Sequence, residues 1–176
     1  MSRQCGDCQL CCKLLPVRPL AKPDNTRCQH QRAGKGCAIY PQRPSVCRTW
    51  NCAWLIDPSA SDLRRPDRSH YVIDERLDFF VACMEDGIEH RLPAIQIWVD
   101  PLFKDAHRDP ALRRYLAAKS APAIIRYSSS EGFVLVPPSM SADGAWLEIE
   151  GQRVPEHSNE EIAAVIAAAY EARKKD

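Results

Sequence analysis

No run in this 176-residue chain is long and apolar enough to span a bilayer. The longest candidate, Ile162 to Tyr170, has nine residues, whereas a spanning helix needs about 20. The opening Met-Ser-Arg-Gln-Cys lacks the basic-then-apolar pattern of an export signal, so a cytoplasmic protein with no membrane partner is expected. Also missing are a phosphate loop, a Gly-x-Ser-x-Gly elbow and a His-Glu-x-x-His helix. No internal repeat or low-complexity tract is present, so solenoids and biased linkers are excluded. No residue is assigned to catalysis, and the sequence does not show which reaction, if any, the chain serves.

What the chain does have is cysteine. Of nine, eight (Cys5, Cys8, Cys11, Cys12, Cys28, Cys37, Cys47 and Cys52) lie in the first 52 residues, and only Cys83 lies beyond. In a reducing compartment such density points to metal or redox chemistry rather than disulfides, and the odd count agrees. Cys83, within Phe79-Phe80-Val81-Ala82-Cys83, reads as a small core residue.

Charge follows the same division. Residues 1–56 carry nine Lys/Arg against Asp7 and Asp24, a net +7, while the remainder holds 15 basic and 21 acidic residues, a net −6. A basic half can mark a nucleic-acid footprint. Compensation is the favoured reading: metal ligation requires thiolates, and nearby cations would offset their charge. Nucleic acid is therefore not expected as a partner.

Spacing organises the cysteines. In Cys5-Gly-Asp-Cys8-Gln-Leu-Cys11-Cys12, two overlapping Cys-x-x-Cys spacings let Cys5, Cys8 and Cys11 reach one centre. Adjacent Cys11 and Cys12 point in different directions in helix or strand, so they are not expected to serve one site with the same geometry, and a second site is open to Cys12. Two four-thiolate centres, one cluster with one single metal, or one site with spectator thiols all satisfy the spacing. Gly34-Lys35-Gly36-Cys37 offers a flexible approach. Tyr40-Pro41-Gln42-Arg43-Pro44 reads as a turn opening a helix through Val46, Cys47, Trp50, Ala53 and Trp54, with Arg48 placed to bond a sulfur or stack on Trp50. His30 reads as an exposed loop residue, and His70, His90, His107 and His157 have no metal spacing.

With these elements, together with Gly36-Cys37-Ala38-Ile39-Tyr40 and Arg43-Pro44-Ser45-Val46-Cys47-Arg48, residues 5–54 resemble the YkgJ-type cysteine-cluster family, described as zinc- or iron-chelating proteins. The resemblance implies that the eight clustered cysteines are metal ligands. A related cysteine-rich segment occurs in flagellin lysine N-methylases, where an iron–sulfur cluster is implied. Residues 57–176 contain no glycine-rich strand–turn–helix for a methyl-donor nucleoside, so methylation is not carried over. Ferredoxin runs continue with a cysteine after three residues and then proline, and this chain does not. An iron–sulfur centre is favoured over zinc, with a redox-linked role and a protein or redox partner. The alternatives are a zinc-stabilised interaction module without turnover and a protein that loads and releases metal.

The expected organisation is a metal-stapled module at 1–56 followed by an α+β portion at 57–176. Strand-like runs occur at His70–Asp74, Asp78–Met84, Ala94–Val99, Ala123–Tyr127, Phe133–Val136 and Ala145–Ile149. Turns are expected at Glu85-Asp86-Gly87, Ser128–Gly132 and Ala142-Asp143-Gly144. Asp109 and Pro110 open a short helix presenting Leu112, Tyr115 and Leu116. Ser158 and Glu161 form a capping box for a C-terminal helix carrying Ile162, Val165, Ile166, Ala169 and Tyr170. Without regular βαβ alternation, an antiparallel or mixed sheet with helices follows. Asp74, Glu75 and Asp78 read as a solvated turn, and Trp98 and Trp146 as core or sheet-face residues.

Overall fold

A computed structural model describes residues 3–83, 87–150 and 157–174, except for the side chains of Glu75, Cys83, Asn159, Ala169 and Arg173. The fold is α+β around a mixed five-stranded sheet. Its strands are β3 (Tyr71–Cys83), β4 (Glu89–Val99), β5 (Ala123–Arg126), β6 (Gly132–Val136) and β7 (Leu147–Ile149), side by side in that order. All pairs are antiparallel except β4 with β5. That parallel step needs a crossover, supplied by a 3₁₀ segment, Pro101–Arg108, and helix α5 (Pro110–Lys119). Two-residue strands β1 (Gln31–Arg32) and β2 (Gly36–Cys37) form a separate small hairpin.

The runs expected at 70–74 and 78–84 are one strand. β3 continues through both, with a register shift between Asp74 and Leu77. The irregularity lets the chain keep pairing while it bends, so the acidic residues sit inside a strand instead of breaking it. β4 begins at Glu89, earlier than expected, and includes Pro93. β5 pairs only with Ile95–Trp98, so this proline lies where β4 has a partner on one side, a position that tolerates a missing N–H.

One sheet face carries Tyr71, Ile73, Ile95, Ile97, Ile125 and Leu135 against Leu112 and Leu116 of α5. The helix reads as expected: the Asp109 carboxylate accepts from the Ala111 N–H, and left-handed Ser120 ends it. Ala53 and Trp54 join this core with Leu63, so the core continues across the 56/57 boundary.

The opposite face is divided. At one end Val72 and Trp98, direct cross-strand partners, pack with Leu10, Leu14 and Cys52. At the other, Phe80, Ala94, Ile124, Val134 and Val136 form a second apolar cluster. Between them lies a polar band of Asp74, Asp78, Gln96 and Arg126. Helix α6 (Asn159–Arg173) has the expected capping box in both directions. Its packing is sparser than its periodicity suggests: Val165 is buried, while Ile166 and Tyr170 are exposed. Gly87 has a positive φ at the end of the expected 85–87 turn, whose Glu85 and Asp86 lie outside the described residues.

Candidate metal site

The N-terminal segment folds over the Val72–Trp98 end of the sheet. Cys5 to Cys8 forms a tight turn closed by a Cys8 N–H to Cys5 C=O bond of 2.9 Å, with Gly6 at a positive φ of 54°. Helix α1 (Leu10–Leu14) follows and carries Cys11 and Cys12. Its buried Leu10 and Leu14 are the apolar anchors of the segment. The Cys28 N–H then donates to the Cys12 carbonyl at 3.1 Å, and the Gln31 N–H to the Cys28 carbonyl at 2.9 Å. Gln31 pairs across the small hairpin with Cys37. The Gln9 amide ties this hairpin to the first loop by donating to the Arg32 and Gly36 carbonyls.

The helix expected through Val46 to Trp54 is broken. It is two short helices, α2 (Ser45–Thr49) and α3 (Ala53–Ile56), separated by extended backbone at Trp50 and Cys52. Pro44 is the residue before α2, with extended ψ, and not its first helical residue. The extended stretch lets Cys52 make a bridge to Asp74 of β3. A continuous helix would place Cys47 and Cys52 on different faces. The break turns both toward one cavity.

That cavity, of about 1100 Å³, is lined by all eight cysteines. Its floor includes Val72, Asp74, Asp78, Gln96 and Trp98 of the sheet, and His157 and Ile162 stand at its far wall. All eight thiols are free; Cys52 is buried, Cys5 exposed and the rest half-buried. Among the described residues, no three His, Cys, Asp or Glu side chains are grouped so as to hold one metal ion. The Cys83 side chain lies outside the described residues.

The thiols are not electrostatically equivalent. Burial pushes Cys5, Cys8 and Cys47 up, and lifts Cys52 to about 11 despite the Leu55 N–H at its sulfur. Cys11 and Cys12 share a hydrogen bond. The Cys11 thiol donates and is pushed well up. Cys12 accepts and falls to about 7, with Lys22 and Arg43 lowering it further against its burial. Lys22 is itself buried and donates to the Lys13, Leu15 and Pro23 carbonyls. The cations beside sulfur are therefore Lys22, Arg43 and Arg65. Arg43 lies 3.7 Å over the Tyr40 ring, and Arg65 bridges Asp7 and Asp67. Arg43, rather than the exposed Arg48, fills the role expected of a sulfur-facing arginine. His30 is half-buried and lines the cavity, so it is not the free loop residue its position suggested.

The expected solvated acidic turn is a buried network instead. Asp78 and Arg126 are 2% and 1% exposed and meet at 3.0 Å. The Arg126 Nε donates to Gln96 at 3.0 Å, and His157 reaches Asp78 at 2.7 Å while stacking on Phe79. Asp74 is also buried, and its carboxylate accepts from the Arg76 N–H. Sequence reasoning missed these because the partners are distant in the chain. The one available signal was a charged residue, Arg126, at the end of the apolar run Ala123-Ile124-Ile125.

No family model matches the chain, and no curated protein or solved structure is detectably similar to it.

Proposed function

We propose that the first 52 residues are a metal-binding module in which Cys5, Cys8, Cys11, Cys12, Cys28, Cys37, Cys47 and Cys52 hold an iron–sulfur cluster or zinc. Membership of the YkgJ-type cysteine-cluster family is part of this proposal. The observation that carries it is the assembly of eight unpaired thiols, scattered over 48 positions, around one cavity. Two further features support it. Before Cys52 the described residues bury only Leu10, Leu14 and Lys22, too little apolar surface to hold such a segment, and metal commonly replaces a core in modules of this kind. Lys22, Arg43 and Arg65 beside the sulfurs would offset thiolate charge. Burial raises the thiols of Cys5, Cys8, Cys47 and Cys52, which favours their neutral form until a metal displaces the protons.

A thiolate set against an apolar wall containing Trp50 and Trp98 suits an iron–sulfur centre with a redox-linked role and a protein redox partner, since burial and hydrogen bonds to sulfur tune its potential. The sparse core of the N-terminal segment favours a second reading, a zinc-stabilised interaction module without turnover. Metal analysis of anaerobically purified protein, with absorbance on the same sample, separates them. Iron with sulfide and a broad visible band that bleaches on reduction supports the cluster. Stoichiometric zinc in a colourless sample supports the module. Absence of both metals after reconstitution sinks the proposal.

A further inference from the structure

Compensation of thiolate charge does not absorb the whole +7 of residues 1–56. Lys22, Arg43 and Arg65 face sulfur, Lys13 pairs with Asp100, and Arg3 donates to the Trp54 and Ala60 carbonyls. The two carboxylates of the segment are committed as well: Asp7 meets Arg65 at 2.6 Å, and Asp24 accepts from the Ser129 N–H. Arg18, Lys35 and Arg48 have a different setting. All three are exposed and all three line the cavity, and a residue with both properties stands at the mouth. Neither Lys35 nor Arg48 makes an ion pair among the described residues.

The rest of the mouth has the same sign. Arg43 is half-buried there and stacks on Tyr40, which is 58% exposed. Arg76 is exposed on the sheet side and reaches Asp74 at 3.5 Å. The carboxylates that line the cavity, Asp74 and Asp78, are 5% and 2% exposed and already paired with Arg76, Arg126 and His157. Among the described residues, therefore, no exposed carboxylate lines the cavity. Cations gathered around one opening repel each other in the isolated chain, and an anionic surface laid across them relieves it. Arginine and tyrosine are also frequent anchors of protein interfaces.

We propose that the cavity mouth is a docking surface for a partner protein with a compact acidic patch, contacted by Arg18, Lys35, Arg43 and Arg48 around Tyr40. What the partner does rests on the redox-linked reading above; its charge rests on the mouth alone. A nucleic acid fits less well. Arg43 covers one face of Tyr40, and Trp50 and Trp98 are packed into the apolar cluster behind the mouth, so bases lack a stacking platform. A long polyanion would also run past the mouth onto a body of net charge −6, whereas a patch the size of the mouth meets cations. The opposed charges of the two parts orient an acidic partner toward the mouth during encounter.

The test uses the full chain, purified anaerobically, and a probe of fixed shape and variable sign. The probe is ubiquitin, which has no cysteine to exchange with the chain's thiols, with its lysines free or succinylated, a change that turns ammonium groups into carboxylates. The succinylated probe is expected to bind, and the unmodified one to bind roughly tenfold more weakly or worse. Raising ionic strength from about 0.01 M to about 0.15 M shortens the screening length from about 30 Å to about 8 Å and should weaken the complex severalfold. Lys35→Glu/Arg48→Glu should weaken it roughly tenfold. Arg108→Glu/Arg114→Glu, an equal change of net charge at exposed arginines outside the cavity lining, should alter it by less than about twofold. The proposal is overturned if the two double variants weaken binding equally, or if the unmodified probe binds as well as the succinylated one. Tighter binding of oligothymidylate than of the succinylated probe also overturns it, in favour of a nucleic-acid site. Should the mouth variant misfold by circular dichroism, wild type decides through acetylation footprinting: bound probe must protect Lys35 and leave exposed Lys104 reactive, and equal protection of both overturns the assignment. Metal content on the same samples keeps the two proposals apart. The expected pattern in a chain that takes up no metal on reconstitution keeps the docking surface and removes the metal site, and a metal-loaded chain indifferent to the probe's charge does the reverse.

Discussion

Asp78 and Arg126 carry opposite charges inside a sheet face whose neighbours are Phe80, Ala94 and Ile124. Breaking a buried pair by removing one member costs about 3–5 kcal/mol, more than the pair itself contributes, and Asp78→Ala takes from Arg126 the carboxylate it meets at 3.0 Å. Asp78→Ala is therefore expected to lose that much in urea unfolding. The double replacement Asp78→Leu/Arg126→Met should be the more stable of the two. A loss under about 1 kcal/mol for Asp78→Ala would mean that Arg126 does not depend on it. Cys12 and Cys52 offer a titration with opposite signs in metal-free protein. Cys12, held down at about 7, stabilises the fold fully above the ordinary thiol value near 9, and this is lost as pH falls through 7. Cys52, raised to about 11, contributes below that ordinary value, and its contribution is lost as pH rises through 11. Iodoacetamide labelling read by mass spectrometry should show Cys12 reacting with a midpoint near pH 7 and Cys52 reacting last. Equal midpoints for the two would contradict this arrangement.

Elements set by local chemistry were legible in the sequence. The Ser158–Glu161 capping box, the Asp109-Pro110 helix start and the Asp143-Gly144 turn all form as their residues dictate. Elements set by distant partners were not. Nothing local stops a helix at Trp50, because the extended Trp50–Cys52 stretch is fixed by pairing with Asp74, 22 positions downstream. The same applies to the acidic residues of β3, whose burial depends on Arg126 and His157. As for the cavity, the cluster of eight cysteines that line it stood out in the sequence, whereas Lys22 as a buried neighbour of Cys12 did not. Gly132 shows a further hidden constraint at the start of β6. A Cβ there would meet the Ile125 carbonyl oxygen at 2.3 Å, and the contact is backbone in the paired strand β5, which cannot rotate away. Gly132→Ala should cost about 1–3 kcal/mol or more through overpacking, read as a lowered denaturation midpoint with an unchanged m-value. An unaffected midpoint would mean that the β5–β6 pairing is looser than its register implies.

Stability in the whole chain is divided unequally. Residues from Ala53 onward have a continuous core built on Ile97, Leu112, Leu116, Ile125 and Leu135, which needs no metal to account for it. The N-terminal cysteine segment, the cage, is anchored to that body by contacts that include Leu10, Leu14 and Cys52 against Trp98, the Cys52–Asp74 bridge, the Lys13–Asp100 and Asp7–Arg65 ion pairs, and Asp24 and Asn25 on the loop after β5. These contacts position the segment over the sheet but fix little of its interior. If metal supplies the missing interior energy, its removal should loosen the N-terminal segment and leave the sheet intact, because the core on Ile97, Ile125 and Leu135 takes in none of the residues before Ala53. Hydrogen exchange before and after anaerobic chelation tests this directly. The Cys28 amide, bonded to Cys12, should exchange roughly tenfold faster or more once metal is gone, while the amides of Ile97 and Ile125 keep their protection. Equal acceleration in both parts would mean that cage and sheet unfold as one cooperative unit, with metal stabilising the whole. No acceleration anywhere would mean that the anchors alone hold the cage, and that metal, if bound, is cargo rather than structure.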